Sequence, residues 1–423
     1  MRLFQNSGLY PSYLTHLNRL ARKAESFEER RRIFLADRFG ALHFLEPVLN
    51  GDADTFFTNG DDEVLQKAWA RQNGMPGKTS LERILLAQIE HHRTEVFYNL
   101  DPVRYATAFV RKLPGCVRKT LCWRAAPSGN ADLRAYGAVL GNFPSILESW
   151  RRSGCRAELF FPALDPVMTE YGQDDRPVDV LFVGGYSRHH SIRAKVLEKV
   201  ASLAGAWQLV YCLDASRLTR LAESQLGRLL PLKKHRRPGA ISRIAAPPVF
   251  GRQLYELLGK SKIVLNGAID LAGQDRGNMR CFETMGCGAL LVSDAGHYPE
   301  GMTEGETIKV YHSPEHAAEV ISETLRNWPR SAVMAARGRT RMTTDYPKSA
   351  QWSQFVGLVA QILLCYSNTH SGSFRSLHRL DLGEMRTNLT SPPMGGAAKD
   401  VPPDCIVAVN PAVLVRELSL DER

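Results

Sequence analysis

The order of elements in this chain predicts an α/β protein: two doubly wound parallel sheets facing a central cleft. Three observations carry that expectation. Short apolar, β-branched or aromatic runs alternate with longer helical ones in both halves of the 423 residues. A proline-rich, acidic stretch over 162–177 interrupts the alternation and reads as a linker. The run Asp275-Arg-Gly-Asn-Met-Arg-Cys-Phe-Glu283-Thr-Met-Gly-Cys-Gly-Ala-Leu-Leu-Val-Ser-Asp294 spells polar loop, helix, glycine stop and buried strand.

In the first half the patterns predict a strand at 2–5, helices at 13–23 and 28–49, and a strand at 55–58. Helices at 63–73 and 80–90 follow, then strands at 95–99, 120–123 and 138–141, a helix at 145–153 and a strand at 158–161. Parallel strands need crossovers of about this length, which is why strand and helix must alternate. The second half opens with the strand at 178–183, followed by Gly184-Gly185, and continues through helix 191–203, strand 208–212, helix 251–258 and strand 261–266. A helix begins at Met279 and stops at the glycines 286 and 288; strands at 289–292 and 307–310 and a helix at 314–327 close the unit. The domains expected are 1–168 and 169–350. Residues 371–404 are rich in Ser, Gly and Pro, so the tail over 367–423 is expected to be loosely ordered.

Composition narrows the class. With 44% apolar and 23% charged residues the chain reads as globular, and a formal charge of +10 with a pI near 9.2 favours anionic partners. Eight cysteines without a CxxC pair indicate neither a disulfide framework nor a zinc site and fit a reducing cytoplasm. The first residues lack the apolar run of a signal peptide, and the longest apolar helix, 352–366, is too short for a bilayer. The basic run Lys233-Lys-His-Arg-Arg237 reads as a solvated loop, with contact to an anionic membrane surface as the minority reading. Nucleic acid is a weaker option resting on charge alone.

Candidate site residues cluster where strands end. A helix that begins beside Gly277 offers unpaired N–H groups and a positive dipole end, which suits a diphosphate. Asn278 is the expected N-cap, with Met279 and Arg280 at the helix start and Asn266 at the end of the preceding strand. Glu283, about one turn in, can accept hydrogen bonds from both ribose hydroxyls, and its removal is expected to leave folding largely intact. Arg280 either reaches the phosphates or pairs with Glu283. Asp275 either faces the sugar or caps the loop. Gly184 and Gly185 are expected to turn the chain sharply, leading to Arg188, His189, His190 and Arg193 as a second anion cradle. In the first half Asp101 follows a strand and is either a general base or a turn aspartate. Tyr10 and Tyr13 line the acceptor side or pack the core. Asp52-Ala-Asp54 precedes a strand and reads as a turn, so no metal site is expected.

With these residues in view, the chain resembles the group 1 glycosyltransferases of GT-B fold, specifically relatives grouped with the spore maturation protein CgeB. The resemblance rests on Pro247 to Asn266, Gly277 to Asp294 and Glu306 to Pro314, and extends upstream to Leu35 to Gly40, Leu65 to Ala70 and Gly141 to Ser145. It implies two Rossmann-like domains, with a nucleotide-sugar donor in the second and a hydroxyl or amine acceptor in the first. Relatives carry two glutamates around a seven-residue spacer; here the first position is Asp275 and the second Glu283. The resemblance also implies a crossover helix at 351–366 returning to the first domain, and no cofactor beyond the nucleotide sugar. Other readings left open are a nucleotide-sugar epimerase or hydrolase on the same scaffold, and a non-catalytic sugar-binding or surface-assembly protein.

Overall fold

A computed structural model describes residues 1–186, 191–225, 227, 232, 235–267 and 272–370, the last eight as backbone only, together with the backbone of 405–408 and 413–417. The first sheet comprises β1 (Leu3–Ser7), β2 (Thr55–Asn59), β3 (Val96–Asn99), β4 (Lys119–Trp123), β5 (Ala138–Gly141) and β6 (Ala157–Leu159). Its order is β2-β1-β3-β4-β5-β6, parallel throughout. The second comprises β7 (Val178–Gly185), β8 (Leu209–Asp214), β9 (Ala245–Ala246), β10 (Ser261–Leu265), β11 (Leu290–Asp294) and β12 (Lys309–Tyr311). It runs β12-β11-β10-β7-β8-β9, also parallel. Both are the doubly wound sheets expected. Strand order reverses between β1 and β3 in one and between β7 and β10 in the other, and a ligand crevice opens at the carboxyl end of such a switch point.

Burial on both faces explains the apolar strands. Phe4, Phe97, Leu121 and Val139 are fully buried in the first sheet. The second sheet separates two clusters, one with Phe282, Met285 and Leu258, the other with Val196, Leu197 and Ile321. Helix Lys348–His370 sends Phe355, Leu358, Val359 and Ile362 into the first domain's core. Its start is pinned there by the buried Lys348, whose Nζ donates to the carbonyls of Ala41, Leu42 and Phe44 at 2.7, 2.9 and 2.8 Å. Burial pushes that amine down to about 7.

Several elements differ from expectation. The helix at 28–49 is broken: Phe27–Asp37 starts on a capping box of Ser26 and Glu29 and ends where Arg38 and Gly40 adopt φ of 67° and 77°. A 3-10 turn at Ala41–His43 and the short helix Glu46–Asn50 complete the segment. Residues 162–177 are not a loose linker; they hold the 3-10 helix Pro166–Tyr171, with Asp165 and Met168 fully buried. Helices Arg217–Glu223, Gly239–Ile244 and Trp328–Asp345 were not anticipated. The last hides from a periodicity reading because three of its four buried residues, Ser331, Ala335 and Gly338, are small. A side chain at Gly338 would meet Met285 Cε at 3.1 Å. Most of the tail at 367–423 lies outside the described residues; within it Cys405–Ala408 and Val413–Glu417 pair antiparallel. Among the described residues no helix is long and apolar enough to cross a membrane.

Candidate active site

At the second domain's switch point Gly184 and Gly185 are still strand, paired with Leu213 and Asp214, so the sharp turn expected there is absent. The chain leaves the sheet only beyond them, and Arg188, His189 and His190 lie outside the described residues. A side chain at Gly185 would meet nothing within 4 Å, which leaves the backbone approachable. Across the switch point Arg193 Nη2 donates to the Gly267 carbonyl at 2.9 Å, bracing the end of β10.

The loop into helix Met279–Gly286 depends on Gly277, at φ 109°, where a Cβ would lie 2.6 Å from Pro299 Cγ. Asn278 occupies the N-cap position in backbone terms, yet its side chain makes no capping bond. Its Nδ2 instead donates to Asn266 Oδ1 at 3.2 Å, and Asn266 Nδ2 donates to Ser293 Oγ at 3.1 Å. Asn266 thus knits β10, β11 and the helix start together. The N-cap side chain leaves the backbone N–H groups at the helix start uncapped, an arrangement that suits an anion. All eight residues of the helix, Met279 to Gly286, are buried. Arg280 pairs with Glu283, Nη1 to Oε2 at 2.6 Å, both side chains 6% exposed. Burial raises the Glu283 carboxyl and Arg280 opposes it. Among the described residues Oε1 of Glu283 takes no hydrogen bond.

Asp275 reaches the other domain. Its Oδ2 accepts the Ser145 N–H at 2.7 Å, capping helix Pro144–Arg152, while Ser145 Oγ donates to Ala272 O at 3.1 Å. Asn142 Nδ2 donates to the Gly277 carbonyl at 2.6 Å. The loop over 272–278 is therefore sewn to the carboxyl edge of the first sheet.

On that edge β1 and β3 end in Ser7-Gly8 and Asn99-Leu100-Asp101. A Cβ at Gly8 would sit 2.9 Å from Asp101 Oδ2, so glycine is what lets the two loops touch. Asn6 Nδ2 donates to Asn99 Oδ1 at 2.8 Å, and Asn99 Oδ1 also takes the Asp101 N–H at 3.0 Å, fixing the turn from below. Arg104 Nε binds Asp101 Oδ2 at 3.0 Å and its Nη2 lies 3.8 Å from Asp61 Oδ2. Asp61 accepts the Leu9 N–H at 2.9 Å. Burial pushes Asp61 up to about 7, with Leu9 opposing and Asp101 adding. Burial also raises Asp101, against Arg104.

Tyr10 stands at the N-cap position of helix Pro11–Leu20, three residues after β1. Burial raises its phenol; Arg124 opposes, while Asp101 and Glu283, one from each domain, raise it further. Tyr13, by contrast, is core: fully buried, stacked 3.7 Å from Phe39 and donating to Asp37 at 2.8 Å. Asp61 and Arg124 escaped the sequence reading. The available signal was position alone, two residues after β2 and one after β4, at the carboxyl edge that binds ligands. Asp52 sits in a turn, its carbonyl taking the Thr55 N–H. The basic run at 233–237 is only partly described; within it Arg237 pairs with Glu223. Among the described residues no three His, Cys, Asp or Glu side chains group as ligands for a metal.

Residues 233–357 match the family model described as glycosyl transferase-like. No curated protein matches the chain. The structure of Anabaena Alr3699/HepE in complex with UDP and glucose is similar at 12% identity and a TM-score of 0.53, covering 85% of this chain and 99% of that one. A glycosyltransferase from Rickettsia africae is similar at 10% identity and 0.51, covering 85% and 98%. At such identities the likeness speaks for the fold: the two sheets are arranged as in GT-B glycosyltransferases.

Proposed function

We propose that this chain, GT-B in fold and glycosyl transferase-like over residues 233–357, moves a sugar from a nucleoside diphosphate to a hydroxyl or amine acceptor. The observation that supports it best is that the carboxyl edges of the two sheets are joined, Asp275 Oδ2 accepting the Ser145 N–H at 2.7 Å and Asn142 Nδ2 donating to the Gly277 carbonyl at 2.6 Å. Two ligand-binding edges that share one neighbourhood suit a reaction between two substrates.

In this reading the second domain holds the donor. Glu283 receives the ribose hydroxyls through Oε1 while Arg280 holds Oε2. The uncapped start of helix Met279–Gly286, with Arg188, takes the diphosphate. The bond between the anomeric carbon and the β-phosphate oxygen breaks, the acceptor oxygen or nitrogen bonds to that carbon, and the leaving diphosphate carries the charge that the helix end offsets. Asp101 is placed to take the acceptor's proton, and Asp275 Oδ1 to meet the sugar. The stitched loops exclude water, which protects the donor from hydrolysis. No metal is required, since helix end and guanidinium supply the positive charge. The CgeB group is the finer family placement, and the site of action is the cytoplasm, with the basic surface able to rest on anionic membrane. UDP is the first nucleotide to test, because HepE of the same fold is described with UDP and with UDP-glucose.

A thermal-shift screen against UDP, GDP, dTDP and ADP and their sugars, in magnesium and in chelator, tests the reading. A shift with one diphosphate that survives chelation supports it. No shift with any of them, in a folded sample, removes it.

A further inference from the structure

Arg124 follows the last residue of β4 and lies at the carboxyl edge of the first sheet, its N–H held by the Leu140 carbonyl at 2.8 Å. Its side chain is partly buried, and Nε is buried without a hydrogen-bond partner. Burial lowers its pKa, against the field of Asp101. The carboxylate whose field reaches it, Asp101, is already paired with Arg104 at 3.0 Å. Arg124 thus feels a carboxylate at a distance but makes no ion pair or side-chain hydrogen bond among the described residues. A desolvated guanidinium in that state is unfavourable, and proteins retain few such groups without a partner to come.

We propose that Arg124 binds a phosphate oxygen brought into the cleft by a ligand. A guanidinium offers a planar fork of donors that fits two phosphate oxygens at once, and the low-dielectric setting strengthens the contact. Two sources share this chemistry: the diphosphate of the donor and a phosphate on the acceptor. The choice of sources rests on the glycosyl-transfer reading, whereas the phosphate contact itself does not. Because the side chain makes no hydrogen bond or ion pair among the described residues, it does little for the fold, so its replacement leaves stability equal or higher.

The test is calorimetric titration of the full-length protein with inorganic pyrophosphate and inorganic phosphate, for the wild type, Arg124→Met, Arg124→Lys and, as control, Arg152→Met on an exposed helix face. The expected result is pyrophosphate binding by the wild type, weakened roughly tenfold or more in Arg124→Met. Arg124→Lys falls between, Arg152→Met matches the wild type, and the melting temperature of Arg124→Met is not lowered. Competition then separates the sources. Displacement of pyrophosphate by UDP assigns Arg124 to the donor, and simultaneous binding of both assigns it to a phosphorylated acceptor. Arg124-dependent pyrophosphate binding without any nucleotide binding sustains this inference while removing the donor reading. Equal pyrophosphate affinity in wild type and Arg124→Met, or no binding of either probe by the wild type at about ten millimolar, overturns it; that range already covers weak, millimolar sites.

Discussion

Under the proposed function Glu283 both neutralises the buried Arg280 and holds a ribose, and those two demands make its substitutions informative. Removing one partner of a buried ion pair leaves the other charge uncompensated, so Glu283→Ala is predicted to destabilise the protein by about 3–5 kcal/mol in denaturant titration. The sequence alone implied a mild effect: Phe282, Met285 and Cys287 point to a helix packed on most of its faces, but not to a Glu283 buried with Arg280. An apolar pair, Arg280→Met with Glu283→Leu, should recover much of that stability; a double variant as unstable as Glu283→Ala would show that the pair is not the cause. His43 gives a second residue-scale prediction. Burial, aided by Lys348, pushes its pKa down from 6.5 to about 3, and its ring packs 4.4 Å from Trp123 beside Arg124. Below pH 6.5 the unfolded chain takes a proton that the folded one refuses. The contribution is thus complete above that pH and is lost as pH falls towards 3, at up to about 1.4 kcal/mol per pH unit. Urea midpoints at neutral pH and near pH 4.5 should diverge more for the wild type than for His43→Gln, and parallel behaviour would count against it.

At the scale of elements, the strands of the two sheets, apart from the two-residue β9, and the helix Met279–Gly286 were readable because each buries a continuous or periodic apolar face. Trp328–Asp345 was not, since of its inward residues Ser331, Ala335, Gly338 and Met342 only the last is a large apolar one. The break at Arg38 and Gly40 was equally hidden, being a matter of left-handed backbone rather than of side-chain pattern. In the site, the three-residue spacing of Arg280 and Glu283 was visible, but the choice between pairing and phosphate contact needed the packing. Asp61, Asp101, Arg104 and Arg124 come from three separate strand ends, and only the sheet order brings them together. The helix Lys348–His370 carries a prediction of its own. Phe355 is fully buried against Tyr98, with ring centroids 5.0 Å apart, so Phe355→Ala should cost about 3–5 kcal/mol although the residue lies far along the chain from that core. A loss under about 1 kcal/mol would mean that the helix is not docked.

For the whole molecule, the bonds from Asp275 to Ser145 and from Asn142 to Gly277 join the domains beside the cleft. Asp275→Ala should lose about 1 kcal/mol as a missing helix cap. It should also speed amide hydrogen exchange at Ser145 and across 272–278 while β3 and β10 stay protected. Unchanged exchange at Ser145 would show that this joint does not form in solution. The central claim is that a nucleoside diphosphate sits between these edges with its ribose on Glu283. The most direct measurement is an equilibrium titration of UDP, with GDP, ADP and dTDP beside it, into the wild type and a folded Glu283→Gln variant. One diphosphate should bind the wild type and bind the variant about tenfold more weakly, as expected for loss of a charged hydrogen bond. Equal affinity in the two proteins, or no binding of any diphosphate to the wild type, would contradict the account.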